Sequence, residues 1–247
     1  MWVIAHRGAS GSAPENTLAA FRRAADIGAR FIETDLQLSR DAHLIALHDD
    51  TLDRTTNGRG PASAYTFDQL REFDAGSWFH KGKAVRDKGD GFAAERIPGI
   101  QDVLAFGRER DVGLYLELKT PGASGAEHAL AGALRASGEI ERTVVIAFDI
   151  GVLTRVRRFD PLIVLGYLYS QPIANVAELG VSVGLRQILP RIDLVTPDLV
   201  AEAHRKDLSV VTWTVNSRQQ MKKSISAGVD GIITDYPERL IAVLAGD

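Results

Sequence analysis

Short apolar runs alternate with longer helical patterns along 247 residues, and two of those runs lie too close together to be joined by a crossover. Together these observations predict an α/β fold, a (β/α)8 TIM barrel with an added hairpin and a small insertion at its C-terminal mouth. The apolar runs at 2–5, 31–35, 44–47, 113–118, 143–147, 162–168, 192–195, 209–215 and 231–234 are strand candidates. Helical patterns fill 17–28, 99–110, 126–136, 149–159, 198–206, 217–227 and 237–245, several opened by an Asp or Ser suited to an N-cap. Nine strands is one more than a closed barrel takes. The surplus lies where Leu36-Gln37-Leu38 meets Leu44-Ile45-Ala46-Leu47 across only 39–43, because a parallel crossover needs about a dozen residues. An antiparallel hairpin therefore extends the second strand, with Leu38 opposite Leu44 and Asp35 opposite Leu47, and its turn faces solvent. Residues 51–97 fit no βα unit and are rich in Gly, Asp, Arg and Lys, so they read as an insertion within one catalytic barrel domain spanning 1–247. A doubly wound sheet is the competing architecture, but no Gly-rich dinucleotide or P-loop segment follows the first strand.

Composition narrows the chemistry. With 29 Lys and Arg against 32 Asp and Glu the net charge is -3, which argues against a broad nucleic-acid footprint. The chain has no cysteine, so disulfides, thiolate metal sites and a Cys nucleophile are excluded. No apolar window reaches the ~18 residues of a membrane span, and the N-terminus runs directly into a strand. A cytoplasmic protein without stable membrane insertion is the expectation.

Barrel enzymes build their sites from the C-terminal strand ends, and the polar residues of this chain concentrate there. Glu33 and Asp35 are two apart, so both side chains leave an extended strand on the same face. Two like charges so placed repel unless a cation lies between them, and Glu117 supplies a third oxygen ligand. An all-carboxylate set suits a hard ion, one divalent cation such as Mg²⁺ or Ca²⁺, better than Zn²⁺. The bland alternative, a solvated strand face, conflicts with the apolar neighbours Phe31, Ile32, Leu36 and Leu38. The hairpin returns His48 to the level of these carboxylates, and His6 ends the first strand. Two imidazoles flanking one metal suit displacement at a phosphodiester, one taking a proton from the attacking hydroxyl and one protonating the departing alkoxide. His43, His80, His128 and His204 read as structural or exposed. Arg7 and Lys119 are phosphate holders, by fork and by point charge, although each also suits an ion pair with the carboxylates. Trp213 either covers an apolar part of a substrate or fills the barrel. Asn16, before the first helix, reads first as a cap and second as a residue that reaches the site.

These residues form a recognisable set: His6-Arg7-Gly8, Pro14-Glu15-Asn16-Thr17, Glu33-Thr34-Asp35, His48-Asp49, Arg54-Thr55-Thr56, Glu117-Leu118-Lys119, Trp213-Thr214-Val215-Asn216 and Gly231 through Pro237. The ordered set resembles the glycerophosphodiester phosphodiesterase family from His6 to Pro237. The resemblance implies a metal-dependent phosphodiesterase that hydrolyses glycerophosphodiesters to glycerol 3-phosphate and an alcohol. It implies His6 and His48 as acid/base pair, Glu33, Asp35 and Glu117 as metal ligands, and Arg7 and Lys119 as phosphate contacts. Trp213 joins them as a candidate substrate contact. In this scheme the metal neutralises the phosphate and activates a hydroxyl. Ala147 stands where the family often has Ser, and Gly99-Ile100-Gln101 where it often has Thr-Leu-Glu, departures that bear on substrate preference. The expected partner is a small soluble glycerophosphodiester. A lysophospholipase D-type enzyme, contacting acyl chains through Trp78, Phe79 and Phe92, is one alternative. A non-catalytic phosphodiester binder and a sugar-phosphate isomerase are the others. The sequence leaves the oligomeric state undetermined.

Overall fold

The structure, a computed structural model, describes residues 1–80, 91–119 and 125–246. Part of the expected 51–97 insertion thus lies outside the described residues. Parallel strands β1 (Trp2–His6), β2 (Phe31–Leu38), β4 (Gly113–Leu118), β5 (Thr143–Ala147), β6 (Val164–Tyr169), β7 (Gln187–Pro190), β8 (Ser209–Thr212) and β9 (Gly231–Thr234) close through pairing of β1 with both β2 and β9. This is the eight-stranded barrel that the βα rhythm predicts. Helices α1 (Leu18–Ile27), α3 (Ile100–Arg110), α4 (Ala126–Ser137), α5 (Ile150–Phe159), α6 (Val176–Ser182), α7 (Pro197–His204), α8 (Arg218–Ala227) and α9 (Pro237–Leu244) follow the strands.

Side-chain alternation divides the core. Ile4, Tyr115, Val144, Ile146, Leu168, Leu189, Val211 and Ile233 fill the barrel interior, while the intervening residues pack outward against the helices. The same period that sends Ile4 and Tyr115 inward sends His6, Glu33, Asp35 and Glu117 inward toward the C-terminal mouth. Register then sets their neighbours, with His6 opposite Glu33 and Asp35 opposite Glu117.

The short third strand, β3 (Leu44–Ala46), pairs antiparallel with β2 in the expected register, Leu38 with Leu44 and Leu36 with Ala46. The Leu47 amide donates to the Asp35 carbonyl at 3.1 Å, so the chain re-enters the mouth at His48. In the turn, residues 40–43 are exposed and Ser39 is buried, its hydroxyl donating to Asp41 and accepting from the His43 amide. The described part of the insertion gathers a core of its own from Leu52, Ala62, Leu70, Ala75 and Ile97 on Ile45 and Leu47 of the hairpin. Its helix α2 (Phe67–Glu72) opens on a capping box formed by Thr66 and Gln69.

Three sequence expectations are corrected. The seventh strand is Gln187–Pro190, whereas the run expected as a strand at 192–195 holds a 3-10 turn, Ile192–Leu194. Polar Gln187 and the proline at 190 hide this strand from a search for apolar runs, yet Gln187 faces inward and accepts the Tyr115 hydroxyl at 3.0 Å. Helix α6 lies where the sequence pattern predicts no helix. Helix α7 is capped by Thr196, which accepts the Leu199 amide at 3.1 Å, and Asp198 lies within its first turn.

Candidate active site

At the C-terminal mouth, a pocket of about 160 Å³ is lined by His6, Arg7, Glu33, His48, Glu117, Lys119, Ile146, Phe148, Leu168, Trp213, Thr214 and Ile233. Seven of the eight residues expected at the site line it, and the eighth, Asp35, is fully buried directly behind them.

Burial of three carboxylates is the costliest feature of this mouth. Oxygens of Glu33, Asp35 and Glu117 lie within 4.8 Å of one another, and all three residues are buried. Burial, followed by repulsion from Asp35, pushes Glu33 up to about 8. Burial also raises Glu117, with Asp35 adding to the effect and Lys119 opposing it. For Asp35 burial acts in the same upward direction, but Arg7 and Lys119 outweigh it and hold the carboxyl below its usual range. Arg7 Nε lies 3.1 Å from Asp35 Oδ2, and Lys119 Nζ lies 2.9 Å from Glu117 Oε1 and 3.4 Å from Asp35 Oδ1. Glu33 Oε1 and Asp35 Oδ1 are buried without a hydrogen bond. Clustered buried oxygens with unused lone pairs fit a hard divalent cation, which would replace the missing donors.

The two histidines share one construction. His6 Nδ1 is 2.6 Å from Asp235 Oδ1, and that carboxylate also accepts Ser10 Oγ at 3.0 Å and Asn216 Nδ2 at 2.6 Å. His48 Nδ1 is 2.7 Å from Asp49 Oδ1, which Arg54 anchors. With Nδ1 occupied in each ring, Nε2 is the nitrogen left to face a substrate. Their environments differ. Burial works against protonation of His6, but the bond to Asp235 and the charge of Glu33 outweigh it and raise the imidazole. At His48 burial wins, aided by Arg7 and Lys119, and the imidazole is lowered.

A tight backbone turn sets the first of these groups. Arg7 has φ +55° and Gly8 φ +82°, so the chain reverses immediately after β1, and the Arg7 amide donates to Glu33 Oε2 at 2.9 Å. A Cβ on Gly8 would lie 2.6 Å from the backbone carbon and Cβ of Ala20, so both conformation and space call for glycine there.

The structure also places residues to which the sequence assigns no definite role. Asn16 does not cap α1. That role belongs to Thr17, while Asn16 donates to Asp35 Oδ2 at 2.8 Å and accepts the Thr34 hydroxyl at 2.8 Å. Its positive φ of +55° is the backbone turn that aims it inward. Asp235 and Asn216 both stand at strand ends, the positional signal that exposed the other site residues, and Glu15 bridges Arg7 and Arg54. Trp213 lines the pocket with its indole donating to the Leu189 carbonyl at 2.8 Å and its ring edge-to-face with Phe148 at 5.3 Å. His43, His128 and His204 lie outside the pocket, against Phe67, Phe159 and Asp230 respectively.

Two carboxylate-backed imidazoles, two cationic side chains and a cluster of three carboxylates at one barrel mouth are the set of groups that defines a class, the barrel phosphodiesterases. Sequence comparison makes the assignment particular: a profile of the Glycerophosphoryl diester phosphodiesterase family matches residues 6–239, and the chain belongs to that family. It is 36% identical over 241 residues to the glycerophosphodiester phosphodiesterase of Caldanaerobacter subterraneus subsp. tengcongensis, covering 97% of this chain and 96% of that one. The Bacillus subtilis glycerophosphodiester phosphodiesterase is 30% identical over 262 residues, covering 99% and 86% of the two chains. Among solved structures, an Oleispira antarctica phosphodiesterase in complex with the product sn-glycerol-3-phosphate superposes with a TM-score of 0.91 at 26% identity, covering 100% and 97%. The glycerophosphodiester phosphodiesterase of Agrobacterium tumefaciens gives 0.82 at 28% identity, covering 97% and 98%. No described helix is long and apolar enough to cross a membrane.

Proposed function

We propose that this enzyme hydrolyses small, soluble glycerophosphodiesters to glycerol 3-phosphate and an alcohol, using one divalent cation and an acid/base pair of histidines. The observation that carries the reading is the pair of carboxylate-backed imidazoles, His6 on Asp235 and His48 on Asp49, lining one pocket with Glu33, Glu117, Arg7 and Lys119. Arg7 and Lys119 hold the phosphoryl oxygens, and each has an ion-pair partner among the carboxylates that fixes it in the mouth. One imidazole Nε2 takes the proton of the attacking hydroxyl as its oxygen bonds to phosphorus. The other donates a proton to the alcohol oxygen as its bond to phosphorus breaks. Asp49 and Asp235 stabilise whichever ring is cationic. Glu33, Asp35 and Glu117 would hold Mg²⁺ or Ca²⁺, which supplies positive charge as negative charge builds on the phosphate. Ile146, Leu168, Trp213 and Phe148 form the apolar wall, with Trp213 as substrate contact.

The size of the pocket supports a small substrate. At about 160 Å³ it is below the ~300–1,000 Å³ of sites that enclose drug-sized ligands. Trp78, Phe79 and Phe92, the rings expected to serve an acyl chain, pack edge-to-face on one another at 5.7 and 5.8 Å and lie outside this pocket. Phosphorus NMR of glycerophosphocholine incubated with the chelated and cation-reloaded enzyme tests the proposal. Glycerol 3-phosphate should accumulate only after reloading, and phosphocholine as the phosphorus product would contradict the assigned bond cleavage.

A further inference from the structure

Arg54 belongs to the insertion, yet it makes four hydrogen bonds to the catalytic face. Nε donates to Asp49 Oδ2 at 2.6 Å and Nη2 to Asp49 Oδ1 at 2.9 Å. Nη1 donates to Glu15 Oε2 and Nη2 to Glu15 Oε1, both at 2.8 Å. Each carboxylate passes the restraint on. Asp49 Oδ1 is 2.7 Å from His48 Nδ1, and Glu15 Oε1 accepts Arg7 Nη1 at 2.8 Å. A continuous chain therefore runs from His48 through Asp49, Arg54 and Glu15 to Arg7, whose Nε faces Asp35 at 3.1 Å.

We propose that Arg54 is a positioning residue for the reaction, a clamp through which the insertion sets His48 and Arg7 relative to one another. The inference deepens the two-histidine reading above and rests on it. The contrast between the two histidines shows why such a clamp is needed. Asp235, behind His6, stands at the end of a barrel strand and is held by Ser10 and Asn216 from the barrel frame. Asp49 follows the hairpin, outside the barrel proper, and among the described residues its carboxylate is held by Arg54. The electrostatics agree with the geometry. The bond to Arg54 is the foremost cause holding Asp49 well below the usual carboxylate range, and at Glu15 the same guanidinium leads the groups that outweigh burial. A planar guanidinium makes all four of these bonds in two side-on pairs, a geometry that the three divergent donors of a lysine ammonium cannot reproduce. The guanidinium is partly solvent-exposed, with 45% of the side chain accessible, so its surroundings do not require it for core packing.

Steady-state kinetics on R54A, R54Q, R54K, D49N, H48A and the R54A/D49N double variant, with thermal midpoints, test the assignment. R54A and R54Q should lower kcat by about 10–10²-fold with KM within about threefold, the signature of misplaced groups rather than lost ground-state binding. R54K should recover less than half of that loss on a logarithmic scale. Because one of the two arms of Arg54 acts through Asp49, the loss in the double variant should be clearly smaller than the product of the two single losses, where independent effects would multiply. The proposal is overturned if R54A and R54Q keep kcat within threefold of the parent, if R54K restores it fully, or if the losses multiply. Near-parental turnover in H48A would instead remove the two-histidine reading and the clamp together. Collapse of H48A with intact R54A and R54Q would remove the clamp alone.

Discussion

Replacing Asp235 with Asn keeps the side chain's size and removes its charge, a sharp test of how His6 is prepared. The carboxylate accepts three hydrogen bonds, from His6 Nδ1 at 2.6 Å, Ser10 Oγ at 3.0 Å and Asn216 Nδ2 at 2.6 Å. An amide offers one oxygen and one NH2, so wherever the oxygen turns, one donor meets another. Asp235 is 29% exposed, so water repairs the mismatch only in part. A lost charge-assisted bond then costs about 2 kcal/mol, which is a fall of about 4–8 °C in the thermal midpoint of a domain this size. The deficit should depend on pH in a definite direction. His6 is raised in the folded protein, so its pairing with Asp235 contributes fully below the unfolded imidazole value of about 6.5 and fades as pH rises through the folded one. Asp235 is lowered, so the same pairing also fades as pH falls through its folded value. Denaturant titrations of chelated D235N and parent should therefore differ most between pH ~4 and ~6.5. In cation-loaded enzyme kcat should drop by about 10²–10⁴, as expected when an acid/base imidazole loses its orienting carboxylate. A deficit that grows toward alkaline pH, or a kcat within threefold of the parent, would refute this account of His6.

Further outcomes follow from the same geometry. H6A and H48A should each lose about 10²–10⁴ in kcat while moving the thermal midpoint far less, checked by kinetics alongside calorimetric melting. Gly8→Ala should destabilise by more than ~1 kcal/mol in urea titration, because an L side chain is strained at φ +82° and its Cβ meets Ala20. Side-by-side kinetics on glycerophosphocholine and lysophosphatidylcholine should favour the soluble diester. A tenfold higher kcat/KM for the lysolipid, about 1.4 kcal/mol of transition-state binding, would assign the exposed Phe148 and neighbouring Trp213 to an acyl chain.

Much of this site was legible because barrel geometry converts sequence spacing into direction. The two-residue spacing of Glu33 and Asp35 gave their common face, and five residues between two apolar segments gave the hairpin that returns His48 to the mouth. What escaped was whatever depends on contacts distant in sequence or on local backbone. Gln187 is polar, so β7 had no apolar signature until Tyr115 was placed opposite it. Asn16 carries the composition of a cap, and only its left-handed backbone and the position of Asp35 reveal its aim. Arg54 was visible as part of a motif, but its two carboxylate partners lie 5 and 39 residues away. The departures at Ala147 and Gly99-Ile100-Gln101 leave the carboxylates and histidines in place.

The central claim is that the three buried carboxylates are shaped around a divalent cation rather than neutralised by Arg7 and Lys119 alone. Burial and repulsion from Asp35 push Glu33 toward its protonated form, and a cation among the three carboxylates would pull it back toward the ionised one. Calorimetric titration of the chelated protein with Mg²⁺ and with Ca²⁺, in two buffers of different ionisation enthalpy, reads both events. The account predicts saturable binding of one cation with proton release that shrinks as pH rises, and loss of binding in D35N. Absence of saturable binding, or binding unchanged in D35N and without proton release, would contradict it.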